Sequence, residues 1–143
     1  MKHLALLVFL LVSACRSTQT AGENAVPFTI ATHYFVNNTA GSSVESVITD
    51  ASRFNELFGM ATTMGPDGKP TPIDFSTQFV IAIVRPVTAL STTLEAAGLH
   101  RENGNLVMNY KLTVGAQQSF TTRPLLMVIV DRSNLAPVIL KQQ

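Results

Sequence analysis

Phe79 to Val84 (FVIAIV) and Leu125 to Val130 (LLMVIV) are unbroken apolar runs. A strand with one wet face alternates, so runs of this length predict strands covered on both faces, the first of them central. Leu106 to Val114 (LVMNYKLTV) does alternate, with Leu106, Met108, Tyr110 and Leu112 on one side and Val107, Asn109 and Lys111 on the other. It follows Ser91 to Arg101, a less apolar strand interrupted by Gly98, across Glu102-Asn103-Gly104-Asn105. Strand, Asn-Gly and alternating strand predict a hairpin. Phe28 to Val36 (FTIATHYFV) is rich in β-branched and aromatic residues and predicts a strand ending in the turn Asn37 to Gly41. Val44 to Ile48 predicts a short strand, and Ala136 to Leu140 a closing edge strand, where Pro137 is tolerated.

One segment has helical periodicity. Over Thr49 to Gly59, Phe54, Leu57 and Phe58 share a face, Thr49 or Asp50 is placed to cap the first turn, and Gly59 suits a left-handed exit. From Met60 to Pro72 (MATTMGPDGKPTP) breakers exclude any regular element, and Pro66-Asp67-Gly68 predicts a turn in which Gly68 takes a positive φ. Strands alternate with turns, not with helices. The expected fold class is therefore mostly β (α+β), a small antiparallel sheet or partly closed barrel with one short amphipathic helix inserted early.

The N-terminus belongs to a different category. Lys2 and His3 precede an apolar run from Leu4 to Val12, too short for a membrane span, which takes ~20 residues. Val12-Ser13-Ala14-Cys15 resembles the lipobox of bacterial lipoproteins. The resemblance implies a signal peptide over residues 1–14, lipidation of Cys15 with fatty acyl chains, and membrane anchoring through them. Arg16 after the cysteine resembles lipoproteins sent on to the outer membrane. Residues 15–26, polar and without periodicity (RSTQTAGENAV after the cysteine), read as a flexible tether. Residues 27–143 suffice for one domain.

Charge removes several function classes. Without Lys2 the chain from Cys15 onward has nine basic and nine acidic residues, scattered evenly, which argues against nucleic acid as a partner. His33 and His100 lack any ligand spacing, and Cys15 has no neighbour that would lower its pKa, so no metal, cofactor or catalytic thiol is expected. Ser76, Ser91, Ser119 and Ser133 stand in no nucleophile motif. Asp74, Glu95 and Asp131 are the carboxylates from which an acid–base pair could be drawn, and Asp74 is better read as the holder of a turn. No phosphate loop is present. An enzyme is not expected.

Val47 to Phe58 (VITDASRFNELF), Ile73 to Ala82 (IDFSTQFVIA), the loop Arg85-Pro86-Val87-Thr88-Ala89-Leu90 and the strand at Leu125 to Val130 resemble the C-terminal domain of the PrcB family, lipoproteins associated with a surface protease complex. The likeness runs from about Ser43 to Asp131. Where that family commonly has Thr-Gly-Gly-Tyr, this chain has Thr88-Ala89-Leu90-Ser91. The resemblance implies a β-rich, non-catalytic accessory or inhibitor-like domain that binds or assembles a partner protein, a protease among the candidates. Arg123-Pro124 also echoes the loops of chagasin-type protease inhibitors. The candidate partner surface is the pair of loops Arg85 to Thr92 and Gly115 to Arg123, with Arg85, Thr88, Leu90, Phe120 and Arg123 as contacts. The alternative is an envelope small-molecule or glycan-binding module with Met60 to Pro72 as a lid. Absence of Trp, with only Tyr34 and Tyr110 as tyrosines, argues against sugar stacking.

Overall fold

The computed structural model describes residues 24–42, 44 and 46–143. The expected signal peptide, Cys15 and most of the expected tether lie outside the described residues. The elements are β1 (Thr29–Ala31), β2 (Tyr34–Val36), β3 (Val47–Ile48), α1 (Ala51–Leu57), β4 (Phe58–Met60), β5 (Gln78–Val84), β6 (Thr88–Glu102), β7 (Asn105–Thr122), β8 (Leu125–Asp131) and β9 (Val138–Gln142), with 3-10 turns at Asn38–Ala40 and Arg132–Asn134.

The two apolar runs are β5 and β8, which pair antiparallel in the middle of a four-stranded sheet ordered β1-β8-β5-β3. Both are covered on both faces. Phe79, Ile81, Ile83, Leu126, Val128 and Val130 pack against Leu99, Leu106, Met108 and Tyr110 of a second sheet. Val80, Ala82, Met127 and Ile129 point the other way and pack under Phe54, Leu57 and Phe58. The protein thus has three layers, with α1 and the small β2-β4 pair on one side of the central sheet and the β6-β7-β9 sheet on the other. The fold is mostly β with one short helix. The barrel alternative is not formed, because the sheets have separate edges.

The hairpin turns at Asn103 and Gly104, with φ of 51° and 81°. Both central residues in the left-handed region is the type I′ geometry that suits a twisted two-residue hairpin. Its strands run much further than expected, to Thr88 and Thr122, so the predicted loops Arg85 to Thr92 and Gly115 to Arg123 are mostly strand. Alternation is lost there because β7 is bulged: from Thr88 to Thr92 the ladder partners run Thr122, Gln117 and Val114, leaving extra residues on β7. β9 begins two residues later than expected and pairs with β7 in parallel.

Three further expectations need correction. Phe28 to Val36 is two strands in two sheets, because His33 takes a φ of 63° and turns the chain between them. The tether ends earlier than Val26. Val26 N–H donates to Leu99 O and Arg101 N–H to Asn24 O, both at 2.8 Å, and Ala25 bridges His100. Gly59 does not make a left-handed exit. Asp50 caps α1 by accepting from Arg53 N–H at 2.8 Å, and the chain passes from Leu57 straight into extended backbone at Phe58. Asn37 satisfies the helix end instead, its Nδ2 donating to Asn55 O (3.1 Å) and Glu56 O (3.2 Å). A β-carbon at Gly59 would meet the ring of Phe35, which explains the glycine sterically.

Candidate functional site

The ribbon formed by β6 and β7 is the continuation of the β5-β8 pair. Pro86 interrupts one strand and Pro124 the other, and a proline has no N–H to give a ladder. One bond survives between them, Arg85 N–H to Pro124 O at 2.9 Å. The ribbon bends at this point and folds back over the central sheet, and the bend gathers the five residues expected to contact a partner.

They do different things there. Thr88 Oγ1 accepts from Leu90 N–H, and Thr92 Oγ1 donates to Leu90 O, each at 3.0 Å, so hydroxyls hold both main-chain groups of Leu90. Arg123 Nη2 donates to Gly41 O at 2.6 Å and pins the distant 38–42 segment against the bend. Gly41, Ser42, Pro86, Val87 and Arg123 line a cleft of about 190 Å³ there. Phe120 lies in the bulged stretch of β7 between Gln117, paired with Leu90, and Thr122, paired with Thr88. It is 57 % exposed, and on the same ribbon and bend Val87 is 63 %, Leu90 41 % and Val114 53 % exposed. Arg85, Thr88 and Arg123 therefore shape the bend, while Leu90 and Phe120 present apolar surface to solvent.

A second feature lies on the opposite side of the central sheet. Phe54 of α1 meets Tyr34 of β2 edge-on (centroids 5.3 Å apart, planes at 88°) and Phe75 at 5.4 Å. These rings form one wall of an open cavity of about 450 Å³, completed by Asn55, Met60, Lys69, Pro72 and Ile73. The breaker-rich segment expected to act as a lid forms part of this wall. It is held down by Tyr34 Oη donating to Thr71 O at 2.6 Å and by Thr32 N–H donating to Thr71 Oγ1 at 3.0 Å. Its turn is Gly68 N–H to Gly65 O at 3.3 Å. Gly65, not Gly68, has the positive φ, at 116°. Gly68 is required for a different reason, since a β-carbon there would run into the carbonyl of Thr63. Burial raises the Tyr34 phenol above its usual value. Lys69 is the single charged residue in the lining, so the cavity offers apolar contact and one ammonium, without an acid–base pair. The aromatic cluster was not legible in sequence, because the strand pairing that brings Tyr34 to Phe54 is not encoded in their spacing.

Three carboxylates elsewhere have structural partners. Asp74 Oδ1 accepts from Ser76 N–H at 2.9 Å and from Ser76 Oγ at 2.6 Å, which lowers its pKa and holds the turn before β5. Asp131 repeats the arrangement with Ser133 N–H (2.8 Å) and Oγ after β8. The two turns are adjacent, with Arg132 N–H bonded to Thr77 O at 2.8 Å. On the outer face of the third sheet Glu102 Oε2 accepts from Lys141 Nζ at 3.0 Å, with His100 Nε2 at 3.6 Å, and both partners lower its pKa, Lys141 more strongly. Among the described residues no group of three His, Cys, Asp or Glu is placed to hold a metal ion, and no helix is long and apolar enough to cross a membrane. No protein-family model matches the sequence, and neither a curated protein nor a solved structure matches it.

Proposed function

We propose that this protein is a non-enzymatic, lipid-anchored domain of the cell envelope that docks a partner protein at the bend of its long ribbon. The observation that carries the reading is the exposure of Val87, Leu90 and Phe120 at and near the bend, with Val87 lining the Arg123 cleft. Apolar side chains ringed by Thr, Ser and Gln are the composition of a binding patch. A PrcB-like origin, with a protease as the partner, fits the same surface, and lipidation at Cys15 supplies the anchor.

Two experiments test it. Full-length protein carrying Phe120→Ser and Val87→Ser is compared with the unsubstituted chain in affinity capture from the envelope fraction. A partner retained by the unsubstituted chain and lost at least tenfold with the double variant supports docking at the bend. Equal recovery by both removes the bend from the interface. Cys15→Ser transfers the protein from the membrane to the soluble fraction, and continued sedimentation with membranes defeats the anchor.

The cavity favours a second reading, an apolar small molecule bound against Tyr34, Phe54 and Phe75. Titration with a fluorescent apolar probe, and loss of its signal in Phe75→Ser, tests that reading separately.

A further inference from the structure

Among the described residues β6 pairs with β7 and, near the hairpin end, with Asn24 to Val26. Along its free edge from Thr88 to Ala96 it advances regularly, and the irregularities fall on β7. That stretch of β6 has no proline, no lysine and no bulge, and Glu95 is its single charge. Leu90 is capped by the hydroxyls of Thr88 and Thr92, bonds that pairing with a second strand has to replace. A strand of that length with one charge, rich in threonine and leucine, is a template for another strand.

The sequence of the edge says which strand fits. Leu90-Ser91-Thr92-Thr93-Leu94 reads nearly the same in both directions about Thr92. We propose that two copies of this chain pair antiparallel along β6, with Thr92 on the two-fold axis, to give a continuous four-stranded ribbon β7-β6-β6-β7. In this register Leu90 opposes Leu94 of the second copy, Ser91 opposes Thr93, and Thr92 opposes itself. Glu95 opposes Ala89, so no like charges meet.

The existing β6-β7 register extends the match. Leu94 is paired with Leu112, Thr92 with Val114 and Leu90 with Gln117. Across the axis, one face therefore carries the rows Leu112-Leu94-Leu90-Gln117, Val114-Thr92-Thr92-Val114 and Gln117-Leu90-Leu94-Leu112. Leu94 and Leu112 already pack on the core, and the pairing continues that apolar face over Leu90 and Val114. The other face carries Thr113, Thr93 and Ser91, hydroxyl side chains suited to cross-strand pairs. A self-complementary patch of this kind closes with two-fold symmetry and adds no further copies. The pairing takes up Leu90, which the partner-docking reading also uses, but leaves Phe120 and Val87 at the bend, so the Phe120→Ser and Val87→Ser variant tests that reading without touching this one.

The test uses the full chain in membranes, with Thr92→Cys, Glu95→Cys or neither, under mild oxidation. Residues directly opposite have Cβ atoms about 4.5–5.5 Å apart, the nearest pairs across the axis, and a small adjustment brings them to the roughly 3.5–4.5 Å of a disulfide. Thr92→Cys is expected to run as a covalent dimer on a non-reducing gel, while Glu95→Cys and the parent stay monomeric. A second pair guards against a folding defect at the axis. Chains carrying Ser91→Cys and Thr93→Cys, expressed together, are expected to cross-link several-fold more than either alone. Monomer in both designs overturns the proposal, as does equal cross-linking at positions 92 and 95. A monomer whose Thr92→Cys thiol cross-links to a different protein assigns the edge to that protein, and also overturns it.

Discussion

The hydroxyl of Tyr34 donates to the main-chain carbonyl of Thr71 across 2.6 Å, joining residues 37 apart in the chain. Through this bond a segment with three prolines and two glycines, Met60 to Pro72, acquires a fixed place against β2 and becomes the wall of a cavity. Tyr34→Phe keeps the ring and removes the bond. The expected cost is about 0.5–1.5 kcal/mol in urea unfolding. Faster amide exchange at Thr71 to Ile73, without change at β5, would locate the effect in the segment.

Gly68→Ala is a sharper probe of the same wall. Its new methyl group collides with the Thr63 carbonyl, which belongs to backbone and moves only with the turn. A loss of roughly 1–3 kcal/mol is expected, the usual range for overpacking. Gly104→Ala, where the glycine holds a φ of 81° in open space, should instead cost about 1 kcal/mol, through backbone strain alone. Thermal melts of the two variants compare steric collision with conformational strain.

Acid stability should depend on the paired Asp-x-Ser turns. Asp74 and Asp131 are held below the ordinary carboxylate pKa by the hydroxyl and amide of Ser76 and Ser133. A carboxylate with a lowered folded pKa binds its proton more readily in the unfolded chain. Its contribution is therefore present above about pH 4 and is lost as the pH falls through the folded value. Glu102, lowered first by Lys141, acts in the same direction. Urea midpoints between about pH 2 and 6 should fall towards acid in the unsubstituted chain. They should fall less steeply in Asp74→Asn with Asp131→Asn, and an identical acid limb in the double variant would count against these turns as its source.

Asn37→Ala tests the end of the helix. Without the amide, the carbonyls of Asn55 and Glu56 lose their side-chain donor. A loss of about 1 kcal/mol is expected, comparable with that of other helix caps. Substituting Ser at Phe120, which is exposed, should change stability by less than ~0.5 kcal/mol. That near-neutrality is what makes Phe120→Ser usable as a binding variant.

Much of the framework was legible in the chain because its signals are local. FVIAIV and LLMVIV carry no polar residue, are short and rich in β-branched side chains, and so read as doubly covered strands. Asn103-Gly104 specified its own turn, and Asp50 its own cap. What escaped depends on partners distant in sequence. The bulges of β7 break the alternation of Gly115 to Phe120, so a strand resembled a loop. His33 interrupts a run of good strand residues by a backbone rotation that its side chain does not announce. Asn24 to Val26 are polar or small enough to read as tether, and only the edge of β6 beside them makes them part of the sheet. The bond from Arg123 to Gly41 was equally out of reach, because it joins residues 82 apart in the chain.

The ladder from Glu102 opposite Asn105 to Gln78 opposite Asp131 is nested around one turn. Each pairing encloses the one before it, so the chain can build two of its three layers by zipping outward from Asn103-Gly104, closing only a short additional loop at each step. The two prolines at the bend mark the place where that zipper pauses and the nascent ribbon folds onto itself. The parallel strand β9, which reaches β7 only after β8 is laid down in sequence, is then a late addition. A nucleus at the hairpin tip would make the folding rate sensitive to Gly104, and leave changes in β9 to act mainly on unfolding.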